Sequence, residues 1–167
     1  MKFGLHYQLP CYGTQSAVRR YRDTIEQAVA AEGLGFESVW PVEQHFNPNL
    51  SIMPAPLLPL AAIAERTRRL RLGIAIVLLP LSHPLRVAEE IATLDVMSDG
   101  RVEFGVGRGA IPNHFRGFGV AQSESRDRLF EGLACSAMVE RALAGLRQSG
   151  LAQQLENFLL SRAVEHR

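Results

Sequence analysis

The chain has only two cysteines, a single lysine, few aromatic residues and no long hydrophobic run. Cys11 and Cys135 stand far apart and match neither a metal-ligand spacing nor a CxxC pair, so free thiols are expected. The longest apolar stretches, Ile74 to Leu81 and Pro54 to Ala64, fall well short of the ~20 residues that span a bilayer. No charged-then-apolar leader opens the sequence, and together these absences predict a cytoplasmic protein without a membrane partner. Net charge is nearly absent too, and at +1 it gives no electrostatic reason to expect nucleic acid. All of the 18 basic residues except Lys2 are arginine, and Arg66, Arg68, Arg69 and Arg71 lie close together. That cluster reads as the solvated end of a helix rather than as a nucleic-acid patch.

What is present describes one globular domain. Hydrophobic residues make up 47% of the 167 and charged residues 21%. A domain of this size hides roughly two-thirds of the surface its unfolded chain exposes, enough for a sizeable core. Length sets a further limit, because a complete eight-stranded α/β barrel takes ~250 residues.

Four strand-and-helix units follow one another. Lys2 to Gln8 is short and mostly apolar. After a loop from Pro10 to Ser16, Val18, Tyr21, Ile25, Ala28 and Val29 recur at helical spacing, with Ser16 as amino-terminal cap and Gly33 as the left-handed glycine that ends the helix. Phe36 to Val42 is the second strand, and Pro54 to Thr67 holds a second helix whose prolines come early, where a missing N–H costs least. Leu70 to Leu79 is almost wholly apolar, as expected of a strand buried on both faces, and Gly73 with the flanking prolines decides against a buried helix. Pro84 begins a third helix with a stripe of Val87, Ile91, Leu94 and Met97, and Asp99-Gly100 turns the chain into a fourth strand, Arg101 to Val106.

Strand starts near 2, 36, 70 and 101 recur every ~30 to 34 residues, the size of one strand plus its crossover helix. Such units form a parallel sheet, either open and doubly wound or closed into a barrel, and the period does not decide between them. From Ser123 onward the spacing turns helical, at Leu129, Leu133, Ala137, Leu143 and Leu146, then again at Leu151, Leu155, Phe158 and Leu159 after the break at Ser149-Gly150. No fifth strand is visible in this stretch.

In parallel α/β sheets ligands sit at the carboxyl ends of the strands. After strand two comes Glu43-Gln44-His45-Phe46, where a carboxylate and an imidazole can hold or transfer protons, the carboxylate setting the imidazole tautomer. A capping and loop-packing pair is the structural alternative. Metal ligation is not expected, since no second His or Cys lies three or four residues from His45. After strand four comes Gly105-Val106-Gly107-Arg108-Gly109-Ala110, which looks like a dinucleotide fingerprint. It follows the fourth strand rather than the first, and Ile111-Pro112-Asn113 is expected to prolong the loop where a Rossmann turn opens into a helix. The better reading is a backbone that lets a flat or phosphorylated ligand approach, with Arg108 offering donors to a phosphate. His114, in the loop that follows, reads as structural.

These segments together carry a resemblance. VWPVEQHF at Val39 to Phe46, LPLSHPLRVAEEIATLDVMSDGRVEFGVGRG at Leu79 to Gly109 and HFRGFG at His114 to Gly119 look like the luciferase-like flavin monooxygenases, over Met1 to about Gly132. The resemblance implies an α/β fold of the (β/α)8 TIM-barrel type that binds reduced FMN, or a deazaflavin in one branch, and uses O2 to oxidise a small organic substrate. A flavin reductase partner is implied as well. By position, Ala75 and Ile76 correspond to a strand-three pair joined by a cis peptide against the flavin ring, Gly107 to a pocket-lining residue, Arg108 to the phosphate-binding arginine and Ala110 to a backbone phosphate contact. Glu43 and His45 match the acidic and second histidine positions of the motif after strand two, whereas Gln44 replaces the catalytic histidine of the luciferases and cannot act as a base near neutral pH.

Residues 133–167 resemble nothing in that family. The expected architecture is therefore a partial barrel of about four βα units over residues 1–132, followed by a helical tail over 133–167. Such a half barrel exposes two parallel sheet edges and its inner face, which predicts impaired turnover by the isolated chain and association with itself or with a full-length relative. A non-catalytic flavin-binding or self-associating half barrel is the alternative function, and a nicotinamide-binding domain rests on the glycine run alone.

Overall fold

A computed structural model describes residues 1–135. Four parallel strands form one sheet in the order β1 (Gly4–Tyr7), β2 (Ser38–Pro41), β3 (Arg71–Leu78), β4 (Val102–Gly107). Helices α1 (Ala17–Gly33), α2 (Leu57–Arg66) and α3 (Pro84–Met97) connect them, and a short α4 (Pro112–Phe118) follows β4. Sequential order leaves no topological switch point, the feature that defines a doubly wound nucleotide-binding sheet. The arrangement is a singly wound portion of a (β/α)8 barrel, which closes the choice the repeat period left open.

The core lies between the sheet and its helices. Val39, Leu72, Ile74 and Val77 from the strands pack with Ala28, Leu60, Ile63, Val87, Ile91 and Leu94 from the helices. The opposite face of the sheet is paved by glycine. The indole of Trp40 lies across Gly73 and beside Gly4, its Nε1 donating to Ser38 Oγ at 2.8 Å, and Ile76 covers Gly107. Arg71 and Glu103 form an ion pair across β3 and β4.

Local signals explain most element ends. Ser16 caps α1, its Oγ accepting from the Arg19 N–H at 3.2 Å. The left-handed residue after α1 is Gly35 (φ +87°) rather than Gly33, because the helix runs on through Gly33 and Leu34 caps it. The buried face of α1 runs through Thr24, Ala28 and Ala31, which leaves Val18 exposed. Likewise Val87, Ile91 and Leu94 of α3 are buried, but Met97 is half exposed beyond the end of the sheet-facing stripe. Asp99 and Gly100 both take positive φ in the turn before β4. Pro112, expected in a prolonged loop, instead starts α4, where its fixed φ suits the first turn.

Strand β3 differs from expectation in burial. Its helix-facing residues are fully buried, yet Ile76 is 36% exposed, because no described residue covers the inner face above it. The arginine cluster is also more engaged than a solvated helix end. Arg66 makes two bonds to Glu26, at 2.6 and 2.9 Å, and the Glu32 carboxylate accepts the backbone N–H groups of Arg68, Arg69 and Leu70. Residues 125–135 are helical, with Leu129 packed on the core. The remaining helical spacing expected at Ala137 to Leu159 lies outside the described residues. Cys11 and Cys135 are free thiols, and among the described residues no helix is long and apolar enough to cross a membrane.

Candidate active site

The exits of β2, β3 and β4 are joined by one carboxylate. Glu43 Oε1 lies 2.7 Å from His45 Nε2, and Glu43 Oε2 accepts the Leu78 N–H at 2.9 Å. Leu78 in turn pairs with Gly107, so the loop after β2 is tied to the end of β3 and through it to the end of β4. Both side chains of the Glu43–His45 pair are only 9% exposed. Because a carboxylate accepts only, His45 places its proton on Nε2 and leaves Nδ1 as the free position. The loop itself is held by the Gln44 N–H, which donates to the Met53 carbonyl at 2.9 Å.

Aromatic rings surround this pair. Phe118 meets the His45 ring edge-on at 4.7 Å, and Phe46, at φ 55°, lays its ring over Gly117, where any β-carbon would collide with it. Positive φ is uncommon for so bulky a residue, and it turns Phe46 outward, 62% exposed, beside the 42% exposed Phe118.

A further side chain enters from α4. Since the helix begins at Pro112, His114 and Phe115 fall on its buried side. His114 Nε2 lies 3.0 Å from Gln44 Nε2 and accepts the His45 backbone N–H at 3.4 Å. Burial, reinforced by the nearby His45, holds the His114 pKa below its ordinary value of 6.5.

Between β3 and β4 the ladder is irregular: Ile74 pairs with Phe104 and Val77 with Val106, so Ala75 and Ile76 oppose Gly105 alone. This is a β-bulge, and the Ala75–Ile76 peptide within it is cis. Gly107 closes β4 beneath Ile76, and Arg108 follows, exposed and with no hydrogen bond or ion pair to another described residue. Gly109, at φ +76°, turns the chain over Leu78 and Phe115, and the Ala110 carbonyl accepts from Gln122 Nε2 at 3.4 Å. An apolar shelf at Ile76 with a free guanidinium two residues beyond Val106 suits a flat ring bearing a phosphate. The β-carbon that glycine lacks at Gly107 would fill that shelf.

The sequence profile of the luciferase-like monooxygenases matches residues 1–143. The chain belongs to this family. Among its relatives, an alkanal monooxygenase alpha chain of the Kryptophanaron alfredi symbiont is 36% identical over 130 residues, 76% of this chain and 35% of that protein. The solved structure of a monooxygenase from Streptomyces bottropensis is similar with a TM-score of 0.76 at 38% identity, covering 81% of this chain and 42% of that one. The oxygenating constituent of 3,6-diketocamphane monooxygenase from Pseudomonas putida, solved in complex with FMN, is similar with a TM-score of 0.75 at 28% identity, covering 81% and 38% respectively. The chain thus spans about two-fifths of the length of the relatives it matches.

In this luciferase-like monooxygenase chain, the structure brings Glu43 and His45 into direct contact and sets Ile76 against Gly107, with Ala75 beside Ile76 in the β3 bulge and Arg108 and Ala110 in the loop after β4. Sequence reasoning missed His114 as a neighbour of Gln44 and His45. The available signal was the apolar Phe115 beside it, which marks that side of a short helix as buried. A cavity of about 860 Å³ also opens between α2 and α3, walled by Leu57, Ala61, Val87 and Leu94. Of the expected site residues only Glu43 reaches it, so it lies behind the site rather than at the strand exits.

Proposed function

We propose that this chain carries the flavin-binding portion of an FMN-dependent monooxygenase that oxidises a small organic substrate with O2. The observation that carries the reading is the shelf formed by Ile76 over Gly107 with Arg108, unpaired among the described residues, at its end, in a chain whose family includes a protein solved with FMN. Arg108 and the backbone at Ala110 would hold the phosphate, and Ala75, Ile76 and Gly107 the ring. Bound reduced FMN would supply the electrons for oxygen chemistry. Glu43 fixes the His45 ring by accepting from Nε2, so that Nδ1 of His45 is the atom able to take up or release a proton at the strand exits.

Oxygen chemistry at a flavin requires exclusion of water, and the shelf around Ile76 stands open among the described residues. Turnover by the isolated chain is therefore expected to fall below that of complete relatives, even where flavin binds. Strands β1 and β4 each leave one edge unpaired among the described residues, which favours association with a second copy or with a full-length relative. A flavin reductase is the expected source of reduced cofactor.

Fluorescence titration with FMN tests the reading, with a deazaflavin titrated in parallel. Saturable FMN binding that weakens about tenfold or more in Arg108→Ala supports it, since a charge-assisted phosphate contact contributes roughly 1.5–3 kcal/mol. Preference for the deazaflavin would redirect the cofactor assignment. Absence of binding by either would sink it. Light scattering on the same sample reports whether the chain associates.

A further inference from the structure

We propose that His114 is a positioning residue that fixes which end of the Gln44 side-chain amide faces the strand exits, and that it does so only while its Nε2 is unprotonated. A backbone N–H always donates, and that of His45 points at His114 Nε2 at 3.4 Å, so this nitrogen is an acceptor and the ring proton sits on Nδ1. Gln44 Nε2 lies 3.0 Å from the same nitrogen and 3.4 Å from the His45 carbonyl oxygen, which also only accepts. Two acceptors around one amide group place the NH2 there and leave no choice of flip.

The consequence appears at the other end of the side chain. Gln44 is 8% exposed, and its Oε1 accepts no hydrogen bond from a described residue. Gln44 therefore holds an unengaged acceptor in the loop after β2, where the luciferase resemblance expects an imidazole. It suits a ligand that offers an N–H or O–H. Protonating His114 reverses the arrangement. A donor at Nε2 opposes both the His45 N–H and the Gln44 NH2, and it is satisfied when the amide turns Oε1 inward, giving up the 3.4 Å contact with the His45 carbonyl and turning NH2 outward. Glutamine cannot titrate, but through His114 the site it forms can.

The groups that face His114 set when this occurs. From the loop after β2 come the Glu43 carboxylate and the His45 imidazole, whose ring lies edge-on at 5.4 Å. The segment Leu79–Leu81, packed on α4, brings no titratable side chain, and α4 itself carries the exposed Arg116.

The orientation of Gln44 stands independently of the flavin reading, whereas its effect on ligand binding rests on that reading. Two-bond proton–nitrogen spectra of the full chain between pH 7.5 and 5 test the first part without any variant. The expected result is an Nδ1–H tautomer for His114 at pH 7.5, with the Gln44 NH2 signals shifting at the same midpoint as the His114 ring. In Gln44→Leu, which removes one donor from Nε2, the His114 midpoint moves upward. An Nε2–H tautomer at pH 7.5, or Gln44 signals that ignore the His114 titration, would overturn the proposal. FMN titration at pH 7.5 and 5 then reads the ligand side: an affinity change of about three- to tenfold, the size of one hydrogen bond, that is lost in Gln44→Leu supports it. FMN binding with the same pH dependence in both proteins overturns the ligand-facing role. Spectra as expected with no FMN binding at either pH refute the flavin reading and leave the positioning role standing.

Discussion

Two alanine substitutions two residues apart in β4 should differ sharply in cost, although both place one methyl group on the same glycine-paved face. At Gly105 the added β-carbon would fall on the carbonyl oxygen of Ile74, well inside the 3.0 Å below which real β-carbons are essentially never found. That oxygen belongs to the β3 backbone just before the bulge, so relief requires β3 and β4 to separate where Ile74 pairs with Phe104. Overpacking of this kind costs about 1–3 kcal/mol, and each ladder hydrogen bond lost adds about 1 kcal/mol. Replacing glycine returns about 0.4–1 kcal/mol by restricting the unfolded chain. The net expectation for Gly105→Ala is a loss of about 2–3 kcal/mol. At Gly107 the obstacle is Ile76 Cδ1, the end of a side chain that is 36% exposed and free to rotate. A rotamer adjustment of about 0.5–1.5 kcal/mol nearly cancels the unfolded-state gain, so Gly107→Ala should stay within about 1 kcal/mol of the parent. Urea unfolding followed by circular dichroism measures both, and a slope unchanged between variants confirms that stability rather than compactness has moved. Equal midpoints for the two variants would refute the reasoning, because they would mean that the Ile74 carbonyl does not stand where a β-carbon must go.

Glu43→Ala should cost about 3 kcal/mol or more, since it leaves the Leu78 N–H and His45 Nε2 without their shared acceptor in a nearly buried site, while Glu43→Gln, which keeps one acceptor, should cost less than half as much by the same urea assay. Arg101 reaches the carbonyls of Ala64, Leu70 and Ser98 and the Thr67 hydroxyl, so Arg101→Leu should lower stability by about 2–4 kcal/mol, and a thermal midpoint like that of the parent would show the fork to be dispensable. Stability should also fall as pH drops below 6.5: burial keeps His114 neutral in the folded chain, so the unfolded chain binds the extra proton and gains ground on acidification. Glu26, held low by its hydrogen bond to Arg66, and Glu32, where three backbone N–H bonds outweigh burial, lose their contributions only as pH falls below 4.5. Unfolding midpoints between pH 6.5 and 5 should therefore slope in the parent and flatten in His114→Gln.

Much of the fold was legible because it is set locally. The glycines, prolines and caps at Ser16, Pro84 and Asp99-Gly100 act within a few residues of themselves, and a repeat near 32 residues needs only the chain's own spacing to be seen. Misplacements stayed small for the same reason: Gly35 replaces Gly33 as the left-handed residue because the helical hydrogen bonds run two residues further, to the Leu34 N–H that reaches the Ala30 carbonyl. The candidate site was legible only in part. Glu43 and His45 lie two residues apart and were readable as a pair.

The sequence by itself determined the four βα units, the strand exits where polar residues gather, and the motifs that mark the family. Only tertiary structure decided that Glu43 would accept the N–H of Leu78, 35 residues away, and that His114 would meet Gln44 across 70 residues. It also decided that β3 is buried on one face and open at Ile76 on the other. The physical reason is that hydrophobic periodicity records which residues leave water, whereas hydrogen-bond partners and the covering of a sheet face depend on which distant segments the sheet brings side by side.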